Sequence, residues 1–126
     1  MTSRHPALLM VVLIVAVACR SNDPLRAETI QLGRSLNPDN SVAAHATSFT
    51  RSDTIYVAIL TKAAGSGTIG VKWTYEGRVV DEPKRQVSYR EAAATEFHLV
   101  NPVPGKYTVE VFVDGQSAGT RNFSVE

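Results

Sequence analysis

The residues in this chain that could do chemistry are few. There is one thiol, Cys19, and beyond the first 18 residues the imidazoles are His45 and His98. A nucleophilic Ser or Thr needs a base beside it. His98 sits between Phe97 and Leu99 in an alternating stretch and should point to solvent. His45 lies in an Ala- and Thr-rich segment, so both read as surface imidazoles. Zinc needs convergent ligands and calcium needs several loop oxygens. Asp39, Asp53 and Asp81 are scattered along the chain. The adjacent carboxylates Asp81-Glu82 would face opposite sides of a strand and could not act together as acid and base. With Pro83 and Lys84-Arg85 they read as a charged edge strand that discourages sheet-to-sheet pairing. Gly65-Ser66-Gly67 lacks both the Lys-Ser/Thr and the helix of a phosphate loop and reads as a flexible connection. The expectation is no catalytic residue, no metal site and no cofactor.

The aromatic side chains offer recognition rather than reaction. By parity Tyr56 and Phe112 point away from the core, and Tyr89 falls in a loop. Aromatic faces stack on sugars or anchor protein partners. These three are therefore the candidate binding residues, with Tyr56 and Phe112 expected on different sheets.

Period-two alternation is the signal for the elements that carry these side chains. Ile55, Val57 and Ile59 share one face. Val71, Trp73 and Tyr75 oppose Lys72, Thr74 and Glu76. Tyr107, Val109, Val111 and Val113 oppose Lys106, Thr108, Glu110 and Phe112, and Phe123 and Val125 close the pattern. Strands are expected over 28–35, 43–49, 54–61, 68–76, 78–87, 95–100, 105–113 and 117–125, with at most one helical turn at Ala92-Ala93-Ala94. Glu76-Gly77 and Asp114-Gly115 are two-residue hairpin signals, because Gly tolerates the positive φ of primed turns. Seven to eight short strands in about 100 residues predict an all-β fold: an antiparallel sandwich of two sheets. A single Cys rules out an intramolecular disulfide, so packing alone must hold the core.

The first 18 residues have a different character. Arg4 precedes an unbroken apolar run of twelve residues, Ala7 to Ala18, and then Cys19. Twelve helical residues span about 18 Å, short of the roughly 30 Å hydrocarbon core, which suits a secretory signal better than a membrane span. The whole chain carries 13 Lys+Arg and 12 Asp+Glu. Loss of residues 1–18 would remove only Arg4 and leave the charges balanced. That is no footprint for nucleic acid.

Ala16-Val17-Ala18-Cys19 resembles a bacterial lipobox, with Ala16 where Leu is commonest. The resemblance implies cleavage before Cys19 and acylation of that residue with fatty chains such as palmitate. Several acyl chains give lasting attachment where one does not. Arg20-Ser21 after the Cys, with no Asp, implies by the same resemblance the outer membrane, facing the periplasm. The domain expectation is a signal peptide over 1–18, a lipidated Cys and tether over 19–27, and a sandwich over 28–126. Pro104-Gly105-Lys106-Tyr107 resembles a tyrosine corner. Together with the closing hairpin through Phe123-Ser124-Val125-Glu126, it makes the chain similar to small bacterial lipoproteins built from one immunoglobulin-like or fibronectin type III-like domain. Thr29-Ile30-Gln31-Leu32-Gly33, Asp53-Thr54-Ile55-Tyr56 and Thr95-Glu96-Phe97-His98 belong to the same resemblance, which brings no reaction with it. The expected function is a lipid-anchored, non-catalytic interaction module of the envelope that binds a protein partner. The alternatives are a glycan-binding accessory domain, which needs the aromatics to converge, and a small envelope hydrolase. The hydrolase needs His45 or His98 beside a Ser or carboxylate in a cleft.

Overall fold

The computed structural model describes residues 23–126; the expected signal peptide over 1–18 and the expected lipidation site Cys19 lie outside the described residues. Nine strands run in order: β1 Ala27–Gly33, β2 Ser48–Phe49, β3 Ile55–Thr61, β4 Gly65–Tyr75, β5 Arg78–Asp81, β6 Lys84–Tyr89, β7 Ala93–Leu99, β8 Gly105–Val113 and β9 Gln116–Val125. They form two sheets. The smaller has the order β1-β3-β7; the larger has the order β2-β9-β8-β4-β5, with β6 also paired to β4. No helix occurs among the described residues.

Alternation places the core where the sequence pattern predicts it. Ile55, Val57 and Ile59 on β3 face Ile69, Val71 and Trp73 on β4 and Val109 and Val111 on β8, all essentially inaccessible to water. Full burial of each such aliphatic side chain contributes roughly 1.5–3 kcal/mol before entropy is subtracted. Phe123 meets the edges of Trp73 and Phe49, with ring centroids 6.0 and 5.6 Å apart, and stacks on Tyr107 at 5.0 Å. The Tyr107 hydroxyl donates to the Val103 carbonyl at 2.7 Å and accepts from the Val103 N–H at 3.0 Å, which makes the expected tyrosine corner. Glu76-Gly77 and Asp114-Gly115 all have positive φ, so both hairpins close through primed turns.

Several elements differ from the sequence expectation, each for a tertiary reason. Gly65-Ser66-Gly67 is not a loop; it opens β4 and pairs with Val87–Tyr89 of β6. Gly65 is buried under the incoming chain, where a Cβ would lie 3.2 Å from the Asp23 carbonyl oxygen and from the Leu25 Cα. Close approach, not flexibility, uses that glycine. Residues 23–27, expected within the tether, pack onto the domain: Pro24 bridges to Ser66, the Asp23 carbonyl accepts from the Ser66 N–H at 3.0 Å, and Leu25 is buried in the core. The run 78–87 divides at Glu82-Pro83. The Pro83 carbonyl accepts from the Val71 N–H at 3.0 Å, while proline itself has no N–H to give the ladder. The Ala92-Ala93-Ala94 patch makes no helical turn, since Ala93 and Ala94 pair with Thr61 and Leu60.

The expected strand over 43–49 shrinks to two residues because this segment changes sheets. The Ala46 N–H donates to Leu32 of β1, whereas the Thr47 carbonyl accepts from Ser124 of β9. β2 then runs parallel to β9, pairing Ser48 with Ser124 and Phe49 with Val125, whereas the other paired strands β1 and β3–β9 are antiparallel.

Candidate functional site

The three candidate aromatics do not share a surface. Tyr56 stands half-buried on the outer face of the smaller sheet, paired with His98, the two rings 5.7 Å apart. Tyr89 is not in a loop: it ends β6, and its hydroxyl lies 2.6 Å from the Thr95 Oγ1. Thr95 is buried and belongs to β7, so Tyr89 links the two sheets from within. Phe112 lies on β8 in the larger sheet, opposite Gly70. The structure therefore places Tyr56 and Phe112 on different sheets, as expected for a sandwich, and turns Tyr89 to internal work.

Phe112 borders a shallow depression of about 250 Å³ whose lining includes Thr68, Gly70, Lys72, Glu82 and Lys84. The Lys72 ammonium sits 5.7 Å from the Phe112 ring centroid and 3.5 Å from the Glu110 carboxylate. Gly70 leaves a gap in the face, and the Lys84 stem covers it: a Cβ on Gly70 would lie 3.1 Å from the Lys84 Cγ. This is cross-strand packing of an aromatic ring and two aliphatic stems over a glycine.

The imidazoles also separate. His45 is exposed in the crossover between sheets. The His98 Nδ1 lies 3.1 Å from the Glu96 carboxylate, two residues along the same strand face. A carboxylate-oriented imidazole is part of a catalytic relay. Here, however, the His98 side chain is half exposed on an open sheet face, and its other close contact is the Tyr56 ring. No group of three or more His, Cys, Asp or Glu converges among the described residues. The scattered aspartates hold their own turns. Asp39 accepts from the Ser41 hydroxyl and N–H, which lowers its pKa. Asp53 accepts from the Thr50 N–H at 2.8 Å and from Arg34 Nε at 3.2 Å, and that backbone hydrogen bond is the main cause of its lowered pKa. Asp81 accepts from the Glu82 N–H.

What the arrangement does offer is strand edge. β5 and β6 form one margin of the larger sheet, and every side chain of β5 is exposed. This is the charged margin read from Asp81-Glu82-Pro83-Lys84-Arg85. The other margin is β9, which β2 covers only at Ser124 and Val125. The Ser124 N–H points to Thr47, and β9 keeps an unbroken register with β8 from Gly119 to Val125. Alternation then directs the N–H and C=O of Thr120 and Asn122 away from β8, to the open side. The Thr120 carbonyl accepts from the guanidinium of the neighbouring Arg121, at 2.9 Å. Sequence reading missed Thr120 and Asn122, because which strand ends a sheet depends on pairings remote in sequence. The one local hint is that residues 116–122 carry no buried side chain, in contrast to Phe123 and Val125.

Neither a family model nor a curated protein matches the sequence. Solved structures do match in fold. An immunoglobulin-like protein from Pseudomonas aeruginosa superposes with a TM-score of 0.54 at 13% identity, over 83% of this chain and 98% of that one. An alkylpurine DNA glycosylase from Pseudomonas fluorescens, bound to DNA containing an abasic site analog, gives 0.55 at 14% identity over 82% of this chain. A β-glucosidase from Erythrobacter marinus gives 0.54 at 11% identity over 81% of this chain. This chain spans only 30% and 15% of those two enzymes, so the likeness is to a part of each. At such identities the comparisons speak for fold alone: the described chain is an all-β, immunoglobulin-like sandwich of two sheets.

Proposed function

We propose that this chain is a lipid-anchored, non-catalytic interaction module of the bacterial cell envelope, held to the membrane through acylated Cys19. Its place is the outer membrane, facing the periplasm. It binds a protein partner by accepting an extended segment along the open part of β9. The observation that carries this reading is the pair of outward-facing residues Thr120 and Asn122, beyond the reach of β2. Their backbone groups can add a strand, and main-chain hydrogen bonds supply affinity in such pairing. The stretch from Gln116 to Asn122 has one charge, Arg121, and no proline. Natural edges that must stay unpaired usually carry more protection than this. The His98–Glu96 pair, open to water on a sheet face, supports no competing hydrolytic reading, and the separated aromatics support no shared sugar platform.

The test is capture from native envelopes with the full-length tagged protein under mild crosslinking, wild type beside Thr120→Pro. Proline removes an outward N–H without touching the β8 ladder. The wild type should recover a specific partner that the variant loses. Equal recovery by both would refute edge pairing, and the intact mass of membrane-extracted protein reads cleavage and acylation independently.

A further inference from the structure

One end of the sandwich is marked by the incoming chain. Asp23 and Pro24 dock beside Ser66 at the start of β4, and Leu25 enters the core. Short connections gather at the same end: residues 62–64 join β3 to β4, 90–92 join β6 to β7, and Asp114-Gly115 turns β8 into β9. Asp23, Pro24, Lys62, Ala63 and Ala64 line a common depression there. The opposite end carries Thr50–Asp53, the Glu76-Gly77 turn and residues 100–104.

The exposed large hydrophobics segregate between these ends. Among the described residues they are Val79, Val80, Val100 and Val103, each at least half exposed. Val100 and Val103 lie in the connection at the far end. Val79 pairs with Thr74, near the far end of β4. None lies at the end where the chain enters.

We infer that the domain stands on the membrane by its chain-entry end, with residues 62–64 and 90–92 against the lipid headgroups and the valine-bearing end directed away. This deepens the anchor reading and rests on it. Cys19 is four residue steps from Asp23, which is already fixed to the domain, so the link reaches at most about 14 Å in any conformation. β4 alone, with its 11 residues, is about 33 Å long. The acyl boundary therefore holds the entry end close, while the far end lies beyond the reach of the link. On the outer face of the larger sheet the Lys72 ammonium is already engaged by the Glu110 carboxylate, at 3.5 Å.

This posture narrows the partner. Two identical β9 edges related by a two-fold axis would pair antiparallel and point their entry ends in opposite directions. In one leaflet, the second copy's Asp23 would then sit a full strand length from the bilayer, which the short link cannot span. The open edge is thus left to a different chain.

The test uses the full acylated protein on vesicles of phosphatidylethanolamine and phosphatidylglycerol that contain a headgroup spin-labelled lipid. A fluorophore is placed at Ala63→Cys or at Val100→Cys; the acylated Cys19 thiol does not compete for label. The probe at 63 should be quenched several-fold more strongly than the probe at 100. Equal quenching, or stronger quenching at 100, in protein whose intact mass shows acyl chains would overturn the posture and leave the anchor standing. Protein that lacks acyl chains and fails to float with the vesicles would sink both.

Discussion

The two margins of the larger sheet are built on opposite principles. At the β5–β6 margin, Asp81, Glu82, Lys84 and Arg85 crowd around Pro83, and the strand breaks in two there. A strand approaching this margin meets charge and a discontinuous ladder. Arg85 also reaches across to the smaller sheet, where it donates to the Glu96 carbonyl at 3.1 Å and lies 4.9 Å from the Phe97 ring centroid. Its guanidinium thus occupies an outward-facing carbonyl of β7 as well. At the β9 margin, one part is closed by the chain's own β2, and the rest presents polar side chains and backbone that no other strand covers, with Arg121 bonded to the Thr120 carbonyl. One sheet thus keeps a charged, broken margin and an open one. The proposed edge pairing rests on that contrast rather than on any pocket or reactive group.

The largest expected effect removes the platform beneath both margins. Trp73→Ala should cost about 3–5 kcal/mol, read by denaturant unfolding, because a fully buried indole is replaced by a cavity. The effect should fall on both margins alike, and a loss under 1 kcal/mol would mean that the core is not organised around this residue. Thr120→Pro should next distinguish the margins. Partner capture is expected to fall by about tenfold or more, roughly 1.4 kcal/mol, with little change in melting temperature. Proline at Lys84, where the margin is already guarded, should leave capture unchanged.

A third change makes the charged margin resemble the open one. The triple replacement Asp81→Thr, Pro83→Val and Lys84→Thr should promote self-association at high protein concentration, seen by sedimentation. A strictly monomeric triple variant would show that these residues do not guard the margin. The smallest effect concerns pH. Hydrogen bonding to the Thr50 N–H, with help from Arg34, holds the Asp53 carboxyl below its ordinary value. Arg34 also donates to the Ser48 carbonyl, so this pair steadies β2 on β9. A depressed folded-state pKa contributes stability above the ordinary carboxylate pKa, near 3.8, and that contribution is lost as pH falls through the folded value. Exchange protection of the Ser124 and Glu126 amides, which bond to Thr47 and Phe49, should therefore weaken in acid. Asp53→Asn should show the same weakening at neutral pH. Unchanged protection in both cases would separate Asp53 from the β2–β9 contact.

Much of the sandwich was legible before any coordinates. The faces of β3, β4, β8 and the end of β9, the two hairpin turns and the Tyr107 corner all follow from features within a few residues of one another. Side-chain parity and turn φ preference are local properties of the backbone. Even the guarded margin could be read, because charge and proline write it into one short segment. The candidate site was far less legible. Tyr89 looked like a loop residue until its hydroxyl met Thr95 across the core. Gly65 reads locally as part of a flexible connection, whereas in the fold Asp23 and Leu25 lie against it.

By itself, the amino-acid sequence determined which side chains can share a face, where the chain can turn, and that an apolar run of twelve residues ends at a lone cysteine. Only the tertiary structure decided that β2 leaves β1 for β9 and stops after two residues, and hence that Thr120 and Asn122 remain uncovered. The physical reason is that alternation orients a strand but does not choose its neighbours. Neighbours come from burying the two inner faces against each other, and that burial joins residues as far apart as Ser48 and Ser124.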